Sequence, residues 1–286
     1  MKPAAFDYFA PASLAEALDL LRTHGARAKL LAGGQSFVPM ANFRVLRPEV
    51  VIDLNRIDAL GYIKETADGL SIGAMTRHRA IEHSALVRRV CPLMAAAVTW
   101  IGHAAIRNRG TLGGSLSHAD PAAEWPVVMV ALGATLVARS PRGERRIRAR
   151  EFFVALLATA LEPDEILVEI QVPAAPKGSG AAFLEVARRH GDFALVSAGA
   201  QVTLSAGKLQ DVRLALGGVG AAPFDASALA SSVADETGFA DLGKRVAAAL
   251  EPTEDLHASA QYRREVAAVL VPRALRAALD NAKDAR

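Results

Sequence analysis

The chain has 286 residues, 51% hydrophobic and 22% charged, with 33 Lys and Arg against 30 Asp and Glu for a formal net charge of +3. That length suits one large unit or two to three lobes, and the composition excludes disordered and fibrous classes. Charges of both signs alternate apart from the Arg142 to Arg150 cluster, which leaves nucleic-acid binding with little support. The longest uncharged apolar run, Pro126 to Ala138, is shorter than the roughly 18 to 20 residues a membrane-crossing helix needs. The opening segment MKPAAFDYFAP carries an acid and a proline where a secretion signal has an apolar core, so a cytoplasmic protein is expected. The single cysteine, Cys91, excludes an internal disulfide and a cluster held by four thiolates of this chain.

Ser13 to Glu16 has the capping-box pattern, with apolar residues at Leu14, Ala17, Leu18 and Leu21 and Gly25 as the stop, which predicts a helix. Lys29 to Ala32 reads as a short buried strand running into Gly33-Gly34, and Val50 to Leu54 as a second strand of a small α/β lobe. Leu70 to Met75 follows as a strand, then Thr76 to Val90 and Pro92 to Ile101 as two helices. The segment Ile106 to Pro126 reads as a polar loop between apolar runs, and Trp125 to Leu132 as a buried helix. A hairpin is expected from Ala134 to Arg148 across Ser140 to Gly143, and a strand at Ile166 to Val172.

The stretch PAAPKGSG at Pro173 to Gly180 is the clearest composition break. Residues 1–176, in lobes of about 1–56 and 57–176, are therefore expected to form one domain, and residues 177–286 another. Phe183 to Arg188, Ala194 to Leu204 and Leu209 to Gly217 give three strands of an antiparallel sheet, and Phe239 to Leu250 and Tyr262 to Ala282 close the chain as helices.

Two glycine pairs carry the functional signal. Gly33-Gly34 is followed by Gln35 and Ser36, and Gly113-Gly114 by Ser115 and Ser117. Such turns let successive backbone N–H groups approach an anionic diphosphate, with hydroxyl or amide side chains close behind. Neither matches the Rossmann fingerprint or a P-loop, and Gly218-Val219-Gly220 fails because Pro223 stands where the third small residue belongs. His103, His118 and Asp120 fit no zinc spacing and read as helix-end and loop supports. Arg107 and Arg109 are equally suited to pairing with a phosphate or to fixing the loop on neighbouring carboxylates. No nucleophile with an adjacent base is readable, so hydrolytic chemistry is not expected.

AGGQSFVPM at Ala32 to Met40, NRGTLGGSLSHADPAAEWP at Asn108 to Pro126 and RRHGDFALV at Arg188 to Val196 resemble the FAD-binding medium subunit of molybdenum hydroxylases. Its relatives are the carbon monoxide, quinoline, nicotine and xanthine dehydrogenases, and the resemblance covers nearly the whole chain. It implies an α+β fold: a vanillyl-alcohol-oxidase (PCMH)-type FAD-binding unit of two α/β lobes, plus a C-terminal antiparallel sheet with helices. By the same resemblance Ala32, Gly33, Gly34, Gln35 and Ser36, together with Thr111, Gly113, Gly114 and Ser115, would cradle the FAD diphosphate and ribityl chain. Ile101, Glu124 and Leu167 would be further contacts, with Leu30, Leu31 and Asp120 completing the set. Asp192 and Phe193 would lie near the isoalloxazine ring. Many relatives read TIGGN where this chain has TLGGS, so Ser115 keeps a hydrogen-bonding group with fewer partners.

The implied partners are a small subunit with two 2Fe-2S clusters and a large subunit with the molybdenum cofactor, in a dimer of heterotrimers. No catalytic acid or base and no metal site is expected on this chain, whose part would be electron relay through FAD. Two rival readings stand beside it: a self-sufficient FAD-dependent oxidase or dehydrogenase, and a flavin-free scaffold.

Overall fold

The computed structural model describes residues 1–284. It begins with β1 (Asp7–Phe9), α1 (Leu14–His24), β2 (Ala28–Leu31), α2 (Phe37–Asn42) and β3 (Val50–Asp53). The helix α1 starts where the capping box placed it, Ser13 accepting from the N–H of Glu16 at 3.2 Å. The three strands form a parallel sheet in the order β1-β3-β2, and Ala17, Leu21 and Ile52 are buried between sheet and helix. Strand β1 adds an edge that the sequence pattern did not reveal.

β4 (Ile63–Thr66) and β5 (Gly69–Gly73) open the second lobe. A run of short helices follows: α3 (His78–Glu82), α4 (Ala85–Val90), α5 (Pro92–Ala97), α6 (Ala104–Arg109), α7 (Leu112–His118) and α8 (Glu124–Leu132). Two expectations need correction here. Thr76 to Val90 is two helices, because Ser84 leaves the helical path and caps α4 through the N–H of Val87 at 3.2 Å. Ile106 to Pro126 is largely helical: Thr111 caps α7 through the N–H of Gly114 at 3.1 Å, and Ala74 and Thr76 accept from the N–H groups of Gly113 and Leu112. Tertiary bonds thus hold in a helix two glycines whose intrinsic propensity opposes it.

β6 (Thr135–Ser140) and β7 (Gly143–Arg148) form the expected hairpin. Beyond them lie α9 (Ala149–Phe152), the small hairpin β8 (Phe153–Ala155) and β9 (Ala158–Thr159), and β10 (Ile166–Pro173). The second sheet is antiparallel in the order β4-β5-β10-β6-β7.

The third sheet consists of β11 (Ser179–Ala187), β12 (Ala194–Ser205), β13 (Lys208–Gly217) and β14 (Phe224–Asp225), all antiparallel. α10 (Ser227–Ala230), α11 (Phe239–Ala249) and α12 (Ala260–Asp284) complete the described chain. Both faces of this sheet are covered. Along β11, Ala181 and Phe183 join the core around α5 and α8, while Ala182 joins the core under α12. This explains why every residue of α8 is buried: it lies between the second lobe and the third sheet. Among the described residues no helix is long and apolar enough to cross a membrane.

Candidate FAD site

The parallel sheet delivers β2 into the turn Ala32 to Ser36 at its carboxyl end, the place where ligands of α/β sheets collect. Asn55 pins the turn, donating its side-chain amide to the carbonyl of Ala32 at 2.8 Å, and the side chain of Gln35 donates to the carbonyl of Gly33 at 3.2 Å. Asp53 in turn accepts from both the backbone and the side chain of Asn55.

Gly33 is where the two glycine segments meet. A Cβ there would stand 2.4 Å from the carbonyl oxygen of Arg109 and 2.7 Å from Cα of Gly110. Gly113 is similarly closed by Ala74, at 2.5 Å, and Gly114 by the Thr111 hydroxyl at 2.6 Å. These three glycines therefore admit protein to protein, whereas Gly34 supplies a left-handed turn at φ +76°.

Between the segments lies a cavity of about 490 Å³. Of the expected cofactor residues, Leu30, Ala32 to Ser36, Ile101, Thr111, Gly113 to Ser115, Asp120, Glu124, Leu167, Asp192 and Phe193 all line it. Leu31 instead lines a second pocket of about 310 Å³ across the turn, with Asp53, Asn55 and Arg109. The strand alternation that turns Leu30 inward turns Leu31 away.

The two segments offer different chemistry. Among the described residues, the N–H groups of Gly33, Gly34, Gln35 and Ser36 donate to no protein acceptor, leaving a row of donors beside the cavity. The N–H groups of Leu112, Gly113, Gly114 and Ser115 are all committed to Thr76, Ala74 and Thr111. The second segment thus presents the side chains of Ser115 and Ser117 in place of backbone donors. A phosphate-bearing cofactor with a polyol chain fits this set, the N–H row meeting anionic oxygen and the hydroxyls meeting hydroxyls.

Three ionisable groups near the wall are perturbed. His78 is buried and neutral, its pKa pushed down to about 3 by desolvation and then by the positive charges of Arg77 and Arg107. Glu124, on the cavity wall, is raised to about 7 by burial, its own backbone N–H opposing the shift and Asp120 adding to it. Glu185 lies outside the cavity and is raised to about 8, by burial and then by Glu124. Sequence reasoning missed His78 and Glu185; Trp125 bonded to His78 had no sequence signal across 47 positions.

The other residues singled out in the sequence are placed as follows. Arg107 donates to Glu82 at 2.9 Å and to the carbonyls of Ile101 and Gly102, so it fixes the loop before α6. The carbonyl of Arg109 accepts from Arg77. His118 and Asp120 line the cavity, and the Asp120 carboxylate accepts from the N–H of Ala122 at 2.9 Å. His103 caps the start of α6 by position and faces Gly191. Among the described residues no three His, Cys, Asp or Glu side chains group as metal ligands. Phe193 stands at the mouth, 58% exposed, free to meet a planar ring.

Residues 4–175 match the FAD binding domain in molybdopterin dehydrogenase, and residues 181–278 match the CO dehydrogenase flavoprotein C-terminal domain. The chain belongs to the FAD-binding medium subunits of molybdenum hydroxylases. It is 42% identical to the 6-hydroxypseudooxynicotine dehydrogenase complex subunit alpha of Paenarthrobacter nicotinovorans, over 99% of this chain and 97% of that protein. Caffeine dehydrogenase subunit beta of Pseudomonas sp. (strain CBB1) is 41% identical over 98% of this chain and 97% of its own length. Among solved structures, carbon monoxide dehydrogenase from Hydrogenophaga pseudoflava, in a form lacking the Mo-pyranopterin moiety, superposes with a TM-score of 0.95 at 37% identity. That match covers 98% of this chain and 99% of the other. The medium subunit is thus an FAD-carrying dehydrogenase subunit of a multi-subunit oxidoreductase.

Proposed function

We propose that this medium subunit relays electrons from 2Fe-2S clusters on a small partner subunit, through FAD, to an external acceptor, while a large subunit with the molybdenum cofactor oxidises the organic substrate. The observation that carries the reading is the unspent N–H row of Gly33 to Ser36, set against the hydroxyls of Ser115 and Ser117 across one cavity. FAD, when bound, supplies two-electron chemistry that can also proceed singly. The chain's own part is to hold and screen it. Gly33 to Ser36 bind the diphosphate, Thr111 to Ser115 with Ile101, Glu124 and Leu167 flank the ribityl chain, and Asp192 and Phe193 close over the ring. His78, neutral and buried, adds no charge to the wall.

We assign the FAD unit to residues 1–176, in lobes of about 1–56 and 57–176, and the C-terminal unit to residues 177–286; the two family matches ending at 175 and resuming at 181 support this division. We further assign a dimer of heterotrimers as the working assembly.

Co-expression with the two partner chains tests the relay. Rapid mixing with substrate is expected to bleach the flavin absorbance only after the cluster absorbance responds. Turnover of an organic substrate by the chain with FAD alone would overturn the relay. A purified chain that neither carries nor takes up FAD would overturn the cofactor roles given to these residues.

A further inference from the structure

Behind the wall of the FAD cavity lies a polar seam in otherwise apolar surroundings. Glu185 points from β11 into the core between the third sheet and α8, and neither of its carboxyl oxygens has a hydrogen-bond partner among the described residues. Directly across the strand pair stands Ser197, whose hydroxyl is also buried and unpaired. The next position across the sheet is Gly217, where a Cβ would lie 2.7 Å from that hydroxyl and 2.6 Å from Val127 of α8. Glu124 opens α8 on the cavity side, 5% exposed.

Among the described residues no cation pairs with either carboxyl of this seam. The elements that enclose it, α5, α8, β11 and β12, contain Glu124 and Glu185 as their only titratable residues. Arg213 of β13 reaches α8 at its far end, bonding the carbonyl of Leu132, about 12 Å along the helix from Glu124. The other titratable side chains on the cavity wall are Lys29, His78, His118, Asp120 and Asp192. The charged residues of α12 lie beyond the opposite face of the sheet, where Ala182 packs. Two buried carboxyls without a counter-ion do not both ionise at neutral pH.

We propose that Glu124 and Glu185 form a proton-holding pair behind the FAD site, one proton being kept on Glu185 beside the Glu124 carboxylate and fixed there when FAD fills the cavity. The pair is asymmetric. Glu124 has a helix N-terminus and its own N–H turned to its carboxylate, which favour its charged form, whereas Glu185 has no donor and keeps the proton. Filling the cavity removes the water that screens the Glu124 carboxylate from that side, and its less screened charge opposes loss of the Glu185 proton. FAD binding therefore takes up a proton where the empty site would have lost it, from about pH 8 upward. Since FAD carriage is already a property of the family, the inference rests on that reading and adds the proton.

The test uses the assembled complex stripped of FAD and then titrated with FAD by calorimetry at several pH values, in two buffers of different ionisation heat. Expected is an uptake approaching one proton per FAD above about pH 8, with affinity falling up to about tenfold per pH unit. In Glu185→Gln both the uptake and the slope disappear while FAD still binds. Equal uptake and equal slope in the wild type and Glu185→Gln would overturn the proposal.

Infrared difference spectra give a readout independent of cofactor binding. The wild-type complex should show a protonated carboxyl band that titrates above neutral pH, and Glu124→Gln should move its midpoint to lower pH by removing the neighbouring charge. A wild type without such a band, or a midpoint indifferent to Glu124→Gln, overturns the pair. Failure of the wild-type complex to rebind FAD, with the band present, overturns the cofactor-linked half of the proposal and the site assignment together, and leaves the carboxyl pair supported.

Discussion

Trp125 donates its indole N–H to Nδ1 of His78 at 3.0 Å, with both side chains buried. Because the indole only donates, Nδ1 must accept, and His78 is held neutral with its proton on Nε2. The folded-state pKa of about 3 lies below the ordinary 6.5, so the unfolded chain takes up the proton first as pH falls. Stability is complete above about pH 6.5 and declines toward about pH 3, by up to about 1.4 kcal/mol per pH unit from this one group. Urea titrations between pH 4 and 7 should show His78→Gln with a slope shallower by about one proton. Trp125→Phe should cost about 1 to 3 kcal/mol by leaving Nδ1 unpaired.

Gly33→Ala should separate the two segments that form the cavity, because its new Cβ meets the backbone of Arg109 and Gly110, neither of which is a flexible side-chain end. We expect a flavin content near zero by visible absorbance. Gly133→Ala is the control. Its backbone is left-handed at φ +65° but nothing stands within 4 Å of the added atom, so it should cost about 1 kcal/mol and leave flavin content intact.

Ser115→Ala tests the second segment. The N–H groups of that helix start are already bonded within the protein, so the hydroxyl is what this residue offers FAD. Losing one neutral hydrogen bond corresponds to about 0.5 to 1.5 kcal/mol, or up to about tenfold in Kd. Phe193→Ala should weaken FAD binding with no change in Tm, since the exposed ring packs little in the protein itself. An unchanged Kd in both variants would remove these two residues from the site.

Arg263, 6% exposed on α12, donates to the carbonyls of Leu195 and Gly218 and to Asp255 at 2.7 Å. Gly218 in turn donates to the carbonyl of Pro121 at 2.8 Å. One guanidinium therefore ties α12 to the strand that follows Asp192 and Phe193. Arg263→Met should cost about 1 to 3 kcal/mol in stability by leaving the carbonyls of Leu195 and Gly218 without their donor, measured by thermal or urea unfolding. Arg263→Lys should rescue little, because a single ammonium cannot span all three acceptors.

What was legible in the sequence were the features that local chemistry decides. Ser13 and Glu16 announce α1, and the Pro141-Arg142 turn announces the β6-β7 hairpin. The glycine pairs mark residues that the fold gathers around the cavity, and the family resemblance adds Asp192 and Phe193 to them. What was not legible depends on contacts far along the chain. Gly113 and Gly114 read as a loop because glycine opposes a helix, and only Ala74 and Thr76, distant in sequence, supply acceptors that hold α7. Glu185 alternates with apolar residues as a solvent-facing charge would, and nothing local says that α8 covers that face of the sheet. Ile63 to Thr66 is polar enough to hide an edge strand paired with β5.

The long helix α12 packs on β11 and β12, made some eighty residues earlier and closed over by Ala274, Ala278 and Ala282. Chains emerge from the ribosome N-terminus first. During synthesis, then, the FAD lobes are complete while one face of the third sheet, with Val196, Ala198 and Val202, still lacks its cover. A nascent chain halted before residue 260 would carry its first two lobes beside an uncovered apolar sheet face, and so would be a substrate for chaperones rather than for assembly.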